Sequence, residues 1–122
     1  MSGTRPTASE RFAARMKAIE GVEQFVLVRK DGRIITHNLE DPDELAALAT
    51  LCGLQAESIA QALGFTPMDY QVLQRDSGKN VSVFRLDKYF VGVIQQADSP
   101  LEELIDRVTR FLRSLRRTRQ SA

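Results

Sequence analysis

Apolar residues recur along this chain with two different periods, and the changes of period mark its elements. Phe12, Met16 and Ile19 stand at helical spacing. Thr7 and Glu10 precede them as a capping box, which satisfies two free amides at a helix start near Thr7. Gly21 fits the helix stop. From Val22 to Arg29, and again from Ile34 to Thr36, the residues become β-branched and aromatic. Asp31-Gly32 between them predicts a two-residue hairpin in which both turn residues take positive φ. Asp41-Pro42-Asp43-Glu44 then opens a long helix: Asp41 as N-cap, Pro42 as first helical residue, two acids at the positive end of the dipole. Gly64 ends it. Three more strands are expected over 68–75, 80–86 and 89–95, followed by a helix with a second capping box at Ser99-Pro100-Leu101-Glu102. That helix carries Leu101, Leu104, Ile105, Val108, Phe111, Leu112 and Leu115 on one stripe.

Helix, two strands, helix, three strands, helix predicts an α+β sandwich, a five-stranded antiparallel sheet with helices on its faces. Phe25 to Val28 and Tyr89 to Ile94 are apolar on consecutive positions, so those two strands should be central and covered on both sides. The other three mix in polar residues and should lie toward the periphery.

The long helix breaks the usual amphipathic rule. LAALATLCGLQAESIAQALG, from Leu45 to Gly64, holds a single formal charge, Glu57. Set at 100° per residue, Leu45, Leu48, Ala49, Cys52, Ala56, Ile59 and Leu63 share one arc and should face the core. Ala47, Leu51, Leu54, Ser58 and Ala62 fall on a second, nearly opposite arc. Thr50, Glu57 and Gln61 form a narrow polar strip. A membrane span is excluded by the interrupting Thr50, Gln55, Glu57, Ser58 and Gln61. A helix with two apolar faces expects a second layer: another helix of the same chain, or a second copy of the chain. The strand that follows supports a second copy, since it could pair with its own counterpart. That strand should be a sheet edge, with only Asp69 and Arg75 charged and no proline to block pairing.

Composition narrows the function. The 122 residues make one domain, 43% apolar and 27% charged, as in an ordinary globular protein. The net charge of +1 gives no global field for nucleic acid or an anionic membrane. The lone Cys52 excludes an intrachain disulfide and leaves the cytoplasm as the default compartment. MSGTRPTASERFAARMK has no apolar run, so no secretory signal is expected. No catalytic, metal or cofactor constellation stands out. His37 has no ligand-spaced companions. Cys52 lies on the core stripe. Glu40, Asp41, Asp43 and Glu44 suit helix capping, and no phosphate-binding glycine motif is present. Arg107, Arg110, Arg113, Arg116, Arg117 and Arg119 suit a solvated tail at the negative end of a helix dipole, with an acidic partner surface and then nucleic acid or membrane as the alternatives.

Glu20-Gly21-Val22, the Asp31-Gly32 hairpin, the low-charge helix after Asp41-Pro42 and FVGVIQQADSPLEEL, in the order αββαβββα, resemble the roadblock/dynein light chain family. The resemblance spans about 16–115. Residues 1–15 are then an N-terminal arm and the start of the first helix, and 116–122 a basic, frayed tail. It implies a profilin-like fold and a non-enzymatic homodimeric scaffold, with the long helix and third strand at the dimer axis and Leu51, Leu54, Ser58, Tyr70 and Val72 in the interface. It further implies a Ras-like small GTPase as partner in bacteria, and no cofactor. Two rival readings are a PAS-like small-ligand sensor, which needs a pocket over the sheet, and a structural adaptor light chain without a GTPase.

Overall fold

A computed structural model describes residues 5–121, with side chains described for 5–116. The elements are α1 (Ala8–Ala18), β1 (Val22–Arg29), β2 (Ile34–His37), α2 (Asp43–Leu63), β3 (Tyr70–Leu73), β4 (Val81–Leu86), β5 (Tyr89–Gln95) and α3 (Leu101–Ser121). Their order is the expected αββαβββα. The five strands form one antiparallel sheet in the order β2-β1-β5-β4-β3. β1 and β5 are interior, as their continuous apolar runs require. β4 is interior too, with Val81, Ser82, Val83, Phe84 and Leu86 buried, which corrects its expected peripheral place.

Strand alternation sends successive residues to opposite sides of the sheet and so builds two cores. Phe25, Leu27, Phe84, Leu86, Val91 and Val93 pack under α1 and α3, with Phe12, Met16, Leu104, Val108, Phe111 and Leu112. Val26, Val28, Val81, Val83 and Phe90 pack under α2 alone, with Leu45, Ala46 and Ala49. The fold is therefore three layers, with two helices on one face and one on the other.

Local chemistry sets the ends of the elements. The capping box of α1 is complete: the Glu10 amide donates to Thr7 Oγ1 (3.1 Å) and the Thr7 amide to Glu10 Oε1 (2.8 Å). The bond from the Thr7 backbone, then the Thr7 hydroxyl, holds the Glu10 carboxyl below the usual range. The helix stops at Ile19, two residues before Gly21. The β1–β2 turn is not the expected two-residue hairpin. Gly32 alone has positive φ (+93°), the Gly32 amide donates to Arg29 O, and the Arg29 amide to Arg33 O. This is a three-residue loop in which a glycine takes the left-handed position after an ordinary turn.

Regular α2 begins at Asp43, one residue late, with Pro42 at the cap position. Asp41 still caps the helix from outside, since its carboxylate accepts the Asp43 amide at 3.1 Å. At α3 the expected second capping box is absent. Ser99 Oγ is buried without a hydrogen-bond partner among the described residues. It packs against Gly21 instead of turning to the helix amides. α3 continues to Ser121, so its backbone is helical through most of the segment expected to fray. The side chains of 117–122 and the N-terminal residues 1–4 lie outside the described residues.

Candidate interaction surface

The seat of α2 decides what the helix shows to solvent. Its buried residues are Leu45, Ala46, Ala49, Gly53, Ala56 and Ala60. Apart from Leu45 they are small, and a close approach to the sheet is the reason. A Cβ at position 53 would collide with the Phe90 ring, and one at Gly92 would lie 3.1–3.3 Å from Val26, Ala49 and Leu45. Large side chains cannot enter so narrow a gap. The buried face is thus turned by about 60° from the expected arc, at 100° per residue. Ile59 and Leu63, expected in the core, are 54% and 63% exposed, and Leu48 and Cys52 are half-buried.

This rotation places the second arc directly opposite the sheet. Ala47, Leu51, Leu54, Ser58 and Ala62 are all exposed, with Leu51 at 56% and Leu54 at 42%. No other helix covers them, because α1 and α3 belong to the far side of the sheet. The covering role considered for those helices is therefore ruled out. The single charge of the segment is already engaged. Glu57 lies on the flank, 2.6 Å from Lys30 Nζ, and that ammonium sits 5.5 Å from the centre of the Phe90 ring. The outward face is left apolar and uncharged.

β3 lies beside it as the edge of the sheet. The strand is four residues long, shorter than the expected 68–75, because 64–69 form an exposed connection. Gln71 ties the strand to the helix, its Nε2 donating to Cys52 O at 3.0 Å. The Arg85 amide donates to Asp69 O (2.9 Å), so Asp69 and Arg85 form a hydrogen-bonded pair. By antiparallel alternation Gln71 and Leu73 turn their backbone groups to β4, while Tyr70 and Val72 turn theirs to the open edge. The Tyr70 and Val72 side chains do not join the α2 face. They stand opposite Phe84 and Ser82 on the α3 side, with the Tyr70 ring 5.9 Å from that of Phe84. Of the expected interface, five residues thus share the outer face of α2, and two contribute edge backbone.

Sequence reasoning missed part of this surface. Ile59 and Leu63 widen it on α2, and Phe65 (66% exposed) and Met68 (48%) extend it past the end of the helix. The signal was the spacing of small residues at 46, 49, 53, 56 and 60, which marks a tightly seated face and sends its large neighbours outward.

The remaining candidates are structural. His37 Nδ1 accepts the Leu39 amide at 3.1 Å. Among the described residues no group of three His, Cys, Asp or Glu could hold a metal ion, and no helix is long and apolar enough to cross a membrane. The cleft between α2 and β3, lined by Gly53, Ala56, Met68, Tyr70 and Phe90 among others, has room for about one water molecule.

A five-stranded antiparallel sheet with α2 alone on one face is the fold of Roadblock/LC7 domains, and solved structures bear this out. A Roadblock/LC7 domain from Streptomyces avermitilis is 19% identical with a TM-score of 0.72, over 88% of this chain and 92% of that one. MglB from Myxococcus xanthus is 15% identical with a TM-score of 0.80, over 98% and 96%. The gliding protein MglB from Thermus thermophilus is 18% identical with a TM-score of 0.75, over 100% and 96%. Profilin-like folds stand further off: a Loki profilin bound to rabbit actin has a TM-score of 0.57 at 14% identity. No family model matches the sequence, and no curated protein does.

Proposed function

We propose that the protein is a non-enzymatic, cytoplasmic scaffold that works as a homodimer and regulates a Ras-like small GTPase. The observation that carries the dimer is the uncharged outer face of α2 beside an unblocked β3 edge. Leu51, Leu54, Ile59, Leu63, Phe65 and Met68 are all at least 42% exposed. Burying a leucine fully is worth roughly 1.5–3 kcal/mol, so a second copy laid on this face recovers what the monomer leaves in water. Pairing of the Tyr70 and Val72 backbones with their counterparts extends the sheet across the dimer. The GTPase follows from the family resemblance, in which bacterial members serve Ras-like GTPases.

Light scattering at micromolar concentration is expected to give twice the chain mass; a monomer there overturns the dimer. Pull-down from the source cell with GTP-loaded and GDP-loaded lysate is expected to recover a small GTPase. Its absence from both removes the regulatory reading and leaves the structural adaptor. A PAS-like sensor is not favoured, because the seat of α2 on Phe90 and Gly92 leaves no ligand space over that face of the sheet.

A further inference from the structure

The second half of α3 differs in charge from the first. In the first half the arginines are matched: Arg107 lies 3.1 Å from Glu103 and 3.8 Å from Glu20, and Arg110 lies 3.0 Å from Asp106. From 111 to 122 the sequence has four arginines and no acid, in a chain whose net charge is only +1. Arg113 is exposed and makes no ion pair among the described residues. Arg116 is half-buried and donates from Nη2 to the backbone carbonyl of Arg85 at 2.8 Å, which fixes its position against β4. Arg113, Arg116 and Thr109 border a shallow cleft between α3 and the start of β3, with Phe84 and Leu112 beside them; Asp69, the acid in its lining, is paired with Arg85 at 3.3 Å. The helix dipole rewards positive charge only within the last turn. Arg113 lies two turns before the end of α3, so the dipole does not account for it.

We infer that this flank of α3 is a docking surface for a carboxylate-rich segment of a partner protein. Guanidinium groups on successive turns present paired donors that match carboxylates. The half-buried Val72 and exposed Tyr70 on the same side of the sheet offer apolar contact to a segment that also carries a leucine. The arginines lie across the sheet from the outer face of α2, since α3 and α2 are on opposite sides of it, while Tyr70 and Val72 border both this flank and the proposed dimer edge. The arginine contacts themselves require neither the dimer nor the GTPase.

The test is fluorescence anisotropy with the full chain and a labelled glutamate-rich peptide carrying one leucine. Arg113→Glu is expected to weaken binding by about tenfold or more, and Arg113→Lys far less. Lys17→Glu on α1 changes the net charge equally at an exposed site elsewhere and is expected to leave binding nearly intact. No binding, or equal losses from Arg113→Glu and Lys17→Glu, overturns the inference. So does a short DNA duplex that binds tighter than the peptide and loses affinity with Arg113→Glu, since the surface would then serve nucleic acid. Unchanged circular dichroism of Arg113→Glu certifies the fold.

Discussion

The two faces of the sheet are built on opposite plans. Under α1 and α3 the filling is large. Phe12 lies 5.4 Å from Phe111 and 6.2 Å from Phe25, ring centre to ring centre, with Met16, Leu104 and Val108 fully buried around them. Under α2 the buried residues of the helix are small apart from Leu45, and Leu51, Leu54, Ile59 and Leu63 are exposed. One face is closed by the chain itself. The other is tight at the sheet and apolar outside, with no helix of the chain over it. Under the proposed dimer, burial alone separates the side that makes the fold from the side that would meet the second copy.

The largest effect on folding should come from the closed face. Leu104 is fully buried, and Leu104→Ala is expected to cost about 2–5 kcal/mol in urea unfolding, from lost transfer energy and the cavity left behind. A cost under about 1 kcal/mol would mean that α3 packs loosely and that the two faces differ less than their filling suggests. Gly53→Ala sharpens the contrast from the other side. Helix propensity alone favours alanine by about 1 kcal/mol. The added Cβ runs into the Phe90 ring, which is 1% exposed and has nowhere to go. Overpacking of about 1–3 kcal/mol should win, giving a net loss. A stabilised Gly53→Ala chain would show that α2 can lift from the sheet.

Much of this was legible in the sequence, for identifiable reasons. β1 and β5 gave themselves away by apolar runs with no alternation, and α1 by Thr7 and Glu10. The order of elements and the edge place of β3 followed. The rotation of α2 did not, because hydrophobicity ranks Ile59 above Ala60 and Gly53, although a Cβ at position 53 has no room beside Phe90. β4 was misplaced because Ser82 and Arg85 read as polar, whereas pairing with both β3 and β5 makes it interior. The β1–β2 turn was misjudged because Asp-Gly serves both two-residue and three-residue loops, and only φ at Asp31 distinguishes them. The side to which Tyr70 and Val72 point depends on register, which is set by Phe84 and Ser82 across the strand.

The smallest effect on the fold should come from the open face, and it is the most informative one. Leu54 stands opposite the sheet and is 42% exposed, so Leu54→Glu removes little that the monomer buries. In dilute solution its unfolding free energy is expected to stay within about 0.5 kcal/mol of the parent chain, the usual range for surface changes. At micromolar concentration the outcome should separate. Each copy would bring a carboxylate into an apolar contact with no cation to meet it, since Lys30 already holds Glu57. Light scattering should then report the chain mass while circular dichroism stays unchanged. If the mass stays doubled, the copies meet through another surface. If the fold fails in dilute solution as well, the leucine arc belongs to the core and the two faces are not built on different plans.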